Sequence, residues 1–410
     1  MTSLSTVPLS IKLLLFFLIL CPGVYIGDVL LNICDVYIPV LFLYVLITRR
    51  PTYWYMNNTV RWLWLYVGVA ILSICVASVG LEEVQWGALL KWLRLLYLPS
   101  IYIIVAHLID RQQIRACLKN IVVLGGCTAL LGIILYIQQS EWYRTPQTMV
   151  SLTGEIIYRA GGVFAEPGQF SLVLVMVFII TNVMWTADVR YRFLYVVVML
   201  LCLWGLMVTY SRIAVIALMV FFLYRICMSW LISWRARVKS LAGIAVLVAL
   251  AISFYQFNEE VAYIVNERVL PLMEISSQAE LADLSAGRAG TWIDNLTHFL
   301  YQEQEYWIFG RGYKIEEYNI GIYSIDNNFL YALLHTGFIG GSIFLFFWIC
   351  LLYDCLYRRF DKTDLFAIIM GGCTLALFLY CLTSDAVTMY RGMGVFMLLY
   401  AMSHVRVTDR

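Results

Sequence analysis

The chain has 410 residues, of which 62% are hydrophobic, 15% aromatic and only 13% charged, with a formal net charge of +2 and a mean hydropathy of +0.82. A soluble domain carries about 25% charged residues, so a soluble fold is excluded, and the near-neutral balance argues against a nucleic-acid partner. Apolar runs of about 17 to 23 residues, the length that crosses ~30 Å of hydrocarbon, recur from end to end and are too long for the strands of an outer-membrane barrel. The composition predicts an all-α polytopic membrane protein with about twelve transmembrane helices embedded in the lipid bilayer.

In chain order, spans are expected near 11–27, 30–48, 61–80, 87–109, 119–138, 168–186, 193–209, 213–229, 241–256, 337–356, 364–383 and 387–403. The first run, LLLFFLILCPGVYIG, has the length of a signal peptide. However, its basic region is Lys12 alone, no small-x-small cleavage site follows and another span comes at once, so it reads as a retained span. Short loops carrying Arg49, Arg50 and Arg61, then Arg111 and Arg115, then Arg190 and Arg192 fall on one side. Arg235, Arg237 and Lys239, then Arg358, Arg359 and Lys362, and finally Arg406 and Arg410 fall there too. By the positive-inside rule that side is cytoplasmic, and both termini lie on it. The eleven Cys are scattered, with no CxxC pair and no Cys/His spacing of a metal site, and read as small core residues.

The opposite side has two real loops, 139–167 and 257–327. The second, about seventy residues, is too long for a plain connector. It divides the chain into 1–256 with spans one to nine, the loop itself, and 328–410 with spans ten to twelve. After Ser285, the residues Ala289, Trp292, Ile293, Leu296, Phe299 and Leu300 share one face, which predicts an amphipathic helix on the membrane surface or over a cavity.

An unpaired charge at mid-membrane costs at least ~2.5–3.5 kcal/mol, so charges on the outer side or within spans are the informative ones. Lys91 and Arg94 stand three residues apart, on one face of span four. Arg159 lies in YRAGGVFAEPGQF, directly before span six, and Arg212 follows Tyr210 in TYSRIAV. Arg288 lies in SAGRAGTW, and Arg311 in FGRGY is flanked by glycines that let a ligand approach the backbone. Taken singly, each cation reads equally well as snorkelling to lipid headgroups. Taken together they point to a polyanionic ligand, since the planar guanidinium fork suits bidentate contact with phosphate.

Two acids accompany them. Glu166, before Pro167, suits the first turn of a helix, where the dipole favours it, and equally suits a base or arginine partner lining a cavity. Asp326 opens DNNFLYALLHTGFIGG, where Asp-Asn before an apolar helix reads either as an N-cap or as a second acid of the site. His335, nine residues further on, reads as a packing residue on a helix flank.

In their order and sidedness, RAGGVFAEPGQF, TYSR, SAGRAGTW, FGRGY and DNNFLYALLHTGFIGG resemble the O-antigen polymerase and ligase superfamily, which contains the Wzy-type polymerases and the lipopolysaccharide O-antigen ligases. The resemblance covers most of the chain. It implies a GT-C-like glycosyltransferase of the bacterial inner membrane that acts on undecaprenyl-diphosphate-linked glycans at the periplasmic face, inverts the anomeric centre and needs neither metal nor cofactor. Ligases resemble one another in a His-Asn pair followed, nine residues later, by Gly-x-x-Gly. Here Asn327, Gly337 and Gly340 keep that spacing, but Asp326 occupies the histidine position, as an acid often does in polymerases. Polymerases also share a tract like Phe164, Glu166 and Pro167. His335 is out of register with the ligase histidine and inherits no role from it.

The resemblance therefore favours a polymerase, whose donor is a growing glycan on undecaprenyl diphosphate and whose acceptor is a repeat unit on a second carrier. Glu166 or Asp326 would take the acceptor proton, Arg288, Arg159, Arg212 and Arg311 would stabilise the leaving diphosphate, and Lys91 and Arg94 would hold the second one. A chain-length regulator protein is a further partner the likeness allows. The alternatives are a ligase that transfers the glycan to lipid A-core, and a flippase or transporter of lipid-linked oligosaccharide. A transporter would set its charges at the midplane in broken, repeated helices.

Overall fold

The computed structural model describes residues 6–26, 29–49, 57–78, 93–138, 148–150, 156–164, 166–230, 238, 241–242, 245, 249, 288–312, 326–358, 364–384 and 389–405. The helices in order are α1 (Leu9–Ile19), α2 (Cys34–Arg49), α3 (Asn58–Ser78), α4 (Tyr97–Leu108), α5 (Ile114–Ile137) and α6 (Pro167–Ala187). They continue with α7 (Arg192–Val208), α8 (Arg212–Trp230), α9 (Arg288–Gln302), α10 (Asn328–Leu352), α11 (Leu365–Thr383) and α12 (Tyr390–Met402). Two antiparallel hairpins complete the described elements: β1 (Val24–Ile26) with β2 (Val29–Leu31), and β3 (Thr148–Val150) with β4 (Ile156–Tyr158).

Among the described residues, six helical stretches are long and apolar enough to cross a membrane: Asn58–Val76, Arg111–Ile137, Pro167–Ala187, Val189–Val208, Asn328–Tyr357 and Leu365–Thr383. Leu9–Ile19, Cys34–Thr48 and Arg94–Leu108 are shorter apolar helices. The chain is a multi-pass membrane protein built of helices. Two expected spans change shape. The run at 11–27 is not one helix: α1 stops at Ile19, and Pro22-Gly23, which cannot continue a helix, lead into the β1–β2 hairpin. The helix expected after Asp326-Asn327 does start at Asn328, so the span set near 337–356 begins earlier, and Gly337 is a break inside it, with φ 66° and ψ −170°. The expected span 241–256 and the first part of 87–109, including Lys91, lie almost wholly outside the described residues.

Helix α6 is apolar on all sides, the pattern of a helix with no solvent-facing stripe, and it sits at the centre. It packs against α5, α7, α8, α11 and α12, and 78% of its span is buried. Every residue of α12 is buried as well, between α4, α1 and α6. Around this core, α3 lies along α10, α2 along α4 and α8 along α11. The outer helices turn large apolar side chains outward, Phe193, Leu200 and Trp204 of α7 among them, as a lipid-facing surface requires.

Polar contacts sort the helix termini to two opposite ends. At one end Lys119 pairs with Asp188 at 2.8 Å, Gln113 donates to the Thr6 carbonyl at 3.2 Å and His404 lies 3.0 Å from Asp354. This end carries Arg111, Arg115, Arg190 and Arg192. At the other end Arg94 meets Asp35, Tyr136 meets Tyr210 at 3.3 Å, and Asn327 reaches the Leu382 carbonyl at 3.3 Å.

Candidate functional site

The second end gathers most of the chemistry expected from the sequence. YRAGGVFAEPGQF leaves β4, makes a single 3-10 turn at Gly162–Phe164 and enters α6. Arg159 donates through Nε to the Thr209 carbonyl at 2.9 Å, and the Ala160 N–H donates to the Val208 carbonyl at 2.9 Å, which docks the loop on the α7–α8 turn. Gly162, at φ +54°, lets the loop close on Phe170: a Cβ there would stand 2.9 Å from the ring. The Phe164 and Phe170 rings stack with centroids 6.1 Å apart. Glu166 takes the N-cap position of α6 with Pro167 at the first helical position, yet its side chain makes no capping bond. Gln169 Nε2 donates to Glu166 Oε2 at 3.4 Å, and the carboxylate is half-buried.

TYSR forms the facing turn. Tyr210 has φ +52° and is the one non-glycine residue with positive φ among those described. A side chain held there stores roughly 1–3 kcal/mol of backbone strain. Ser211 Oγ lies 3.2 Å from Ser171 Oγ, and Tyr380 of α11 donates its hydroxyl to Ser171 at 2.8 Å. This buried hydroxyl cluster ties the start of α6 to the α7–α8 turn and the end of α11, within the electrostatic reach of Arg159. Arg212 follows as the exposed first residue of α8.

At the start of α10 the capping residue is Asn327, whose Oδ1 accepts from Phe329 N at 2.9 Å and Leu330 N at 3.1 Å. Asp326 therefore stands just before the cap, half-buried, at the same end of the bundle. Further along, the break at Gly337 opens the helical ladder, and FGRGY fills it. Leu334 O accepts from Arg311 N at 2.9 Å, His335 O accepts from Gly312 N at 3.0 Å, and Phe338 N donates to Trp307 O at 2.7 Å. Ser73 of α3 also donates to His335 O, at 2.5 Å. The buried His335 ring bonds the Gly312 carbonyl through Nδ1 and lies 3.9 Å from the Tyr331 ring, so it acts as a brace between the loop and α10.

Arg311 pairs with Glu303, which also lies 3.2 Å from His298. Burial pulls the Arg311 guanidinium down to about 10, which leaves it charged at neutral pH. Arg94 is likewise engaged, with a two-pronged contact to Asp35 at 2.9 and 2.7 Å and its guanidinium 4.6 Å from the Tyr390 ring. Arg288 opens α9, with its side chain outside the described set, and Lys91 lies outside it altogether.

Arg159, Glu166, Tyr210, Arg212, Asp326 and Asn327 thus lie at one end of the bundle, where the bonds Arg159 to Thr209, Tyr380 to Ser171, Ser171 to Ser211 and Asn327 to Leu382 join the elements that carry them. Sequence reading missed Arg391. This buried residue of α12 donates to the carbonyls of Leu18 and Val163, at 3.0 Å each, and stacks on Phe164. The signal that could have found it was a charge inside an apolar run, the same signal that drew attention to Arg94.

A helical bundle with acids and arginines gathered at one end defines a multi-pass membrane protein with a polar, charge-bearing rim. The O-antigen ligase family matches residues 197–345, from α7 through most of α10, a stretch that includes Tyr210, Arg212, Arg288, Arg311, Asp326, Asn327 and His335. Over that stretch, about a third of the chain, it is similar to the O-antigen polymerase and ligase superfamily, a group of polymerase- or ligase-type membrane enzymes of polysaccharide biosynthesis. No curated protein matches it.

Proposed function

We propose that the chain polymerises undecaprenyl-diphosphate-linked oligosaccharide repeat units, as an inverting, metal-independent glycosyltransferase with a GT-C-like bundle of about twelve spans. In this reading the rim faces the periplasm of the bacterial inner membrane, 257–327 is a periplasmic loop, and both termini are cytoplasmic. The observation that supports it is the placement of Glu166, Asp326, Arg159 and Arg212 on element ends at one end of the bundle, with Asp326 where ligases have histidine.

In the reaction, the acceptor hydroxyl oxygen attacks the anomeric carbon of the donor glycan. The bond from that carbon to the diphosphate oxygen breaks, and its electron pair leaves on the lipid diphosphate. The hydroxyl proton passes to Glu166 or Asp326. Arg159, Arg212 and Arg288 offset the charge that develops on the leaving group, and holding both lipid-linked substrates in one cavity supplies orientation. Arg212 stands exposed at the first position of α8, and Arg311 and Arg94, paired with Glu303 and Asp35, act chiefly to hold the rim together.

Ligation to lipid A-core is the second reading, favoured by the family match and by the Asn327 to Gly337 spacing. A deletion strain separates the two. Loss of a polymerase leaves single repeat units on surface glycolipid, whereas loss of a ligase leaves none. A deletion strain with no repeat units at all would overturn the polymerase reading.

A further inference from the structure

The start of α12 grips the segment that carries Glu166 from both sides. Upstream, the Arg391 guanidinium donates through Nη1 to the Val163 carbonyl at 3.0 Å and lies 4.1 Å from the centroid of the Phe164 ring. Downstream, the Met389 methyl lies where a Cβ on Gly168 would come within 2.8 Å of it. The same guanidinium donates through Nε to the Leu18 carbonyl at 3.0 Å, in the last turn of α1, where carbonyls lack intrahelical partners. Arg391 is only 3% exposed, so no substrate group reaches it directly. A buried cation inside a bundle is expensive and persists where it performs a task. Here one side chain ties together α1, α12 and the turn three residues before Glu166, although Val163 and Arg391 are 228 positions apart in the chain.

We propose that Arg391 is a positioning residue: it fixes the Gly162–Phe164 turn and thereby sets where the Glu166 carboxylate stands relative to Arg159 and Asp326. The proposal rests on the reading of Glu166 as a reacting group. Two carbonyls and an aromatic face are engaged at once by a planar fork, so lysine, with its single ammonium, cannot reproduce the arrangement.

The test uses the full chain in detergent, with Arg391→Met, Arg391→Lys and Phe164→Leu, the last removing only the ring under the guanidinium. Hydrogen exchange of peptides covering 159–170 reads the position of the segment without relying on activity. Its reporters are the amides of Ala160, Phe164 and Phe170, bonded at 2.9, 3.1 and 3.0 Å. We expect exchange in this segment to rise about tenfold in both Arg391 variants and by a smaller factor in Phe164→Leu, with α5 and α10 unchanged. Turnover on a lipid-diphosphate-linked repeat unit should fall on the order of 10²-fold at nearly constant KM, as displacement of a reacting group does, and Arg391→Lys should not restore it. Exchange at wild-type rates, or a rise spread evenly over all helices, would overturn the positioning role. A local rise with turnover unchanged would leave the clamp standing and overturn the role of Glu166.

Discussion

Replacing Gly337 with alanine strikes the joint between the FGRGY segment and α10. At φ 66° and ψ −170° the position is in a region essentially reserved for glycine, and an added Cβ would lie 2.4 Å from the Ile308 carbonyl oxygen and 2.6 Å from Gly310 N. Both obstacles are backbone, so the chain relaxes only by pulling the loop off the helix. Strain at such a position costs about 1–3 kcal/mol. Separation also weakens the bonds Arg311 N to Leu334 O, Gly312 N to His335 O and Phe338 N to Trp307 O, each worth about 0.5–1.5 kcal/mol. The combined loss is on the order of 3–7 kcal/mol. Thermal unfolding in detergent measures it against Gly290→Ala in α9, where an added Cβ meets nothing within 4 Å. Limited trypsin digestion adds a local readout, because Arg311 is 5% exposed in the intact protein and cleavage after it should appear only in Gly337→Ala. A variant that unfolds with the control and keeps Arg311 protected would refute the joint.

Three further outcomes follow from the same geometry. Arg94→Gln leaves Asp35 buried without its cation and should destabilise by about 3–5 kcal/mol, whereas Arg94→Gln with Asp35→Asn should lose clearly less than the two single changes together; simple additivity would contradict the pairing. Tyr400→Phe removes a 2.8 Å hydrogen bond to the buried Asp354 and should cost about 1.5–3 kcal/mol in unfolding free energy, with an unchanged value against it. The Asp188 carboxylate is held below its ordinary range, first by the hydrogen bond from Lys119 and further by the charges of Lys119 and Arg115. Its contribution is therefore present in full above the ordinary carboxylate value of about 3.9 and is lost as the pH falls through the lower folded value. Asp188→Asn should flatten the acid limb of the stability profile, and an unaltered limb would contradict this.

The helices were legible because membrane spans are long apolar runs, whereas the central place of α6 emerged only from its packing against five other helices. The cap before α10 was legible, since Asp-Asn ahead of an apolar run reads as a helix start, and Asn327 is the residue that caps. The membrane span itself was set nine residues too late, because Asn328 and His335 are polar, but Asn328 is engaged with Cys381 and His335 with Gly312. Gly337, chosen as the start of a span, turned out to be a break filled by another segment, since nothing local in the sequence shows that FGRGY supplies the missing partners. The same limit hid Asp35 behind Arg94, 59 positions away, and hid the carbonyls of Leu18 and Val163 that Arg391 holds. Residue types told which side chains were expensive to bury, and only the packing told which of them had partners.

The most direct test of the central reading is reconstitution: purified protein, a lipid-diphosphate-linked repeat unit, and product lengths resolved on a gel, with lipid A-core added in a parallel reaction. A polymerase should give a ladder of lengths that is lost with Glu166→Gln or Asp326→Asn, whichever is the base, and with Arg288→Ala. Transfer of the glycan to lipid A-core with no ladder would contradict it and make the chain a ligase.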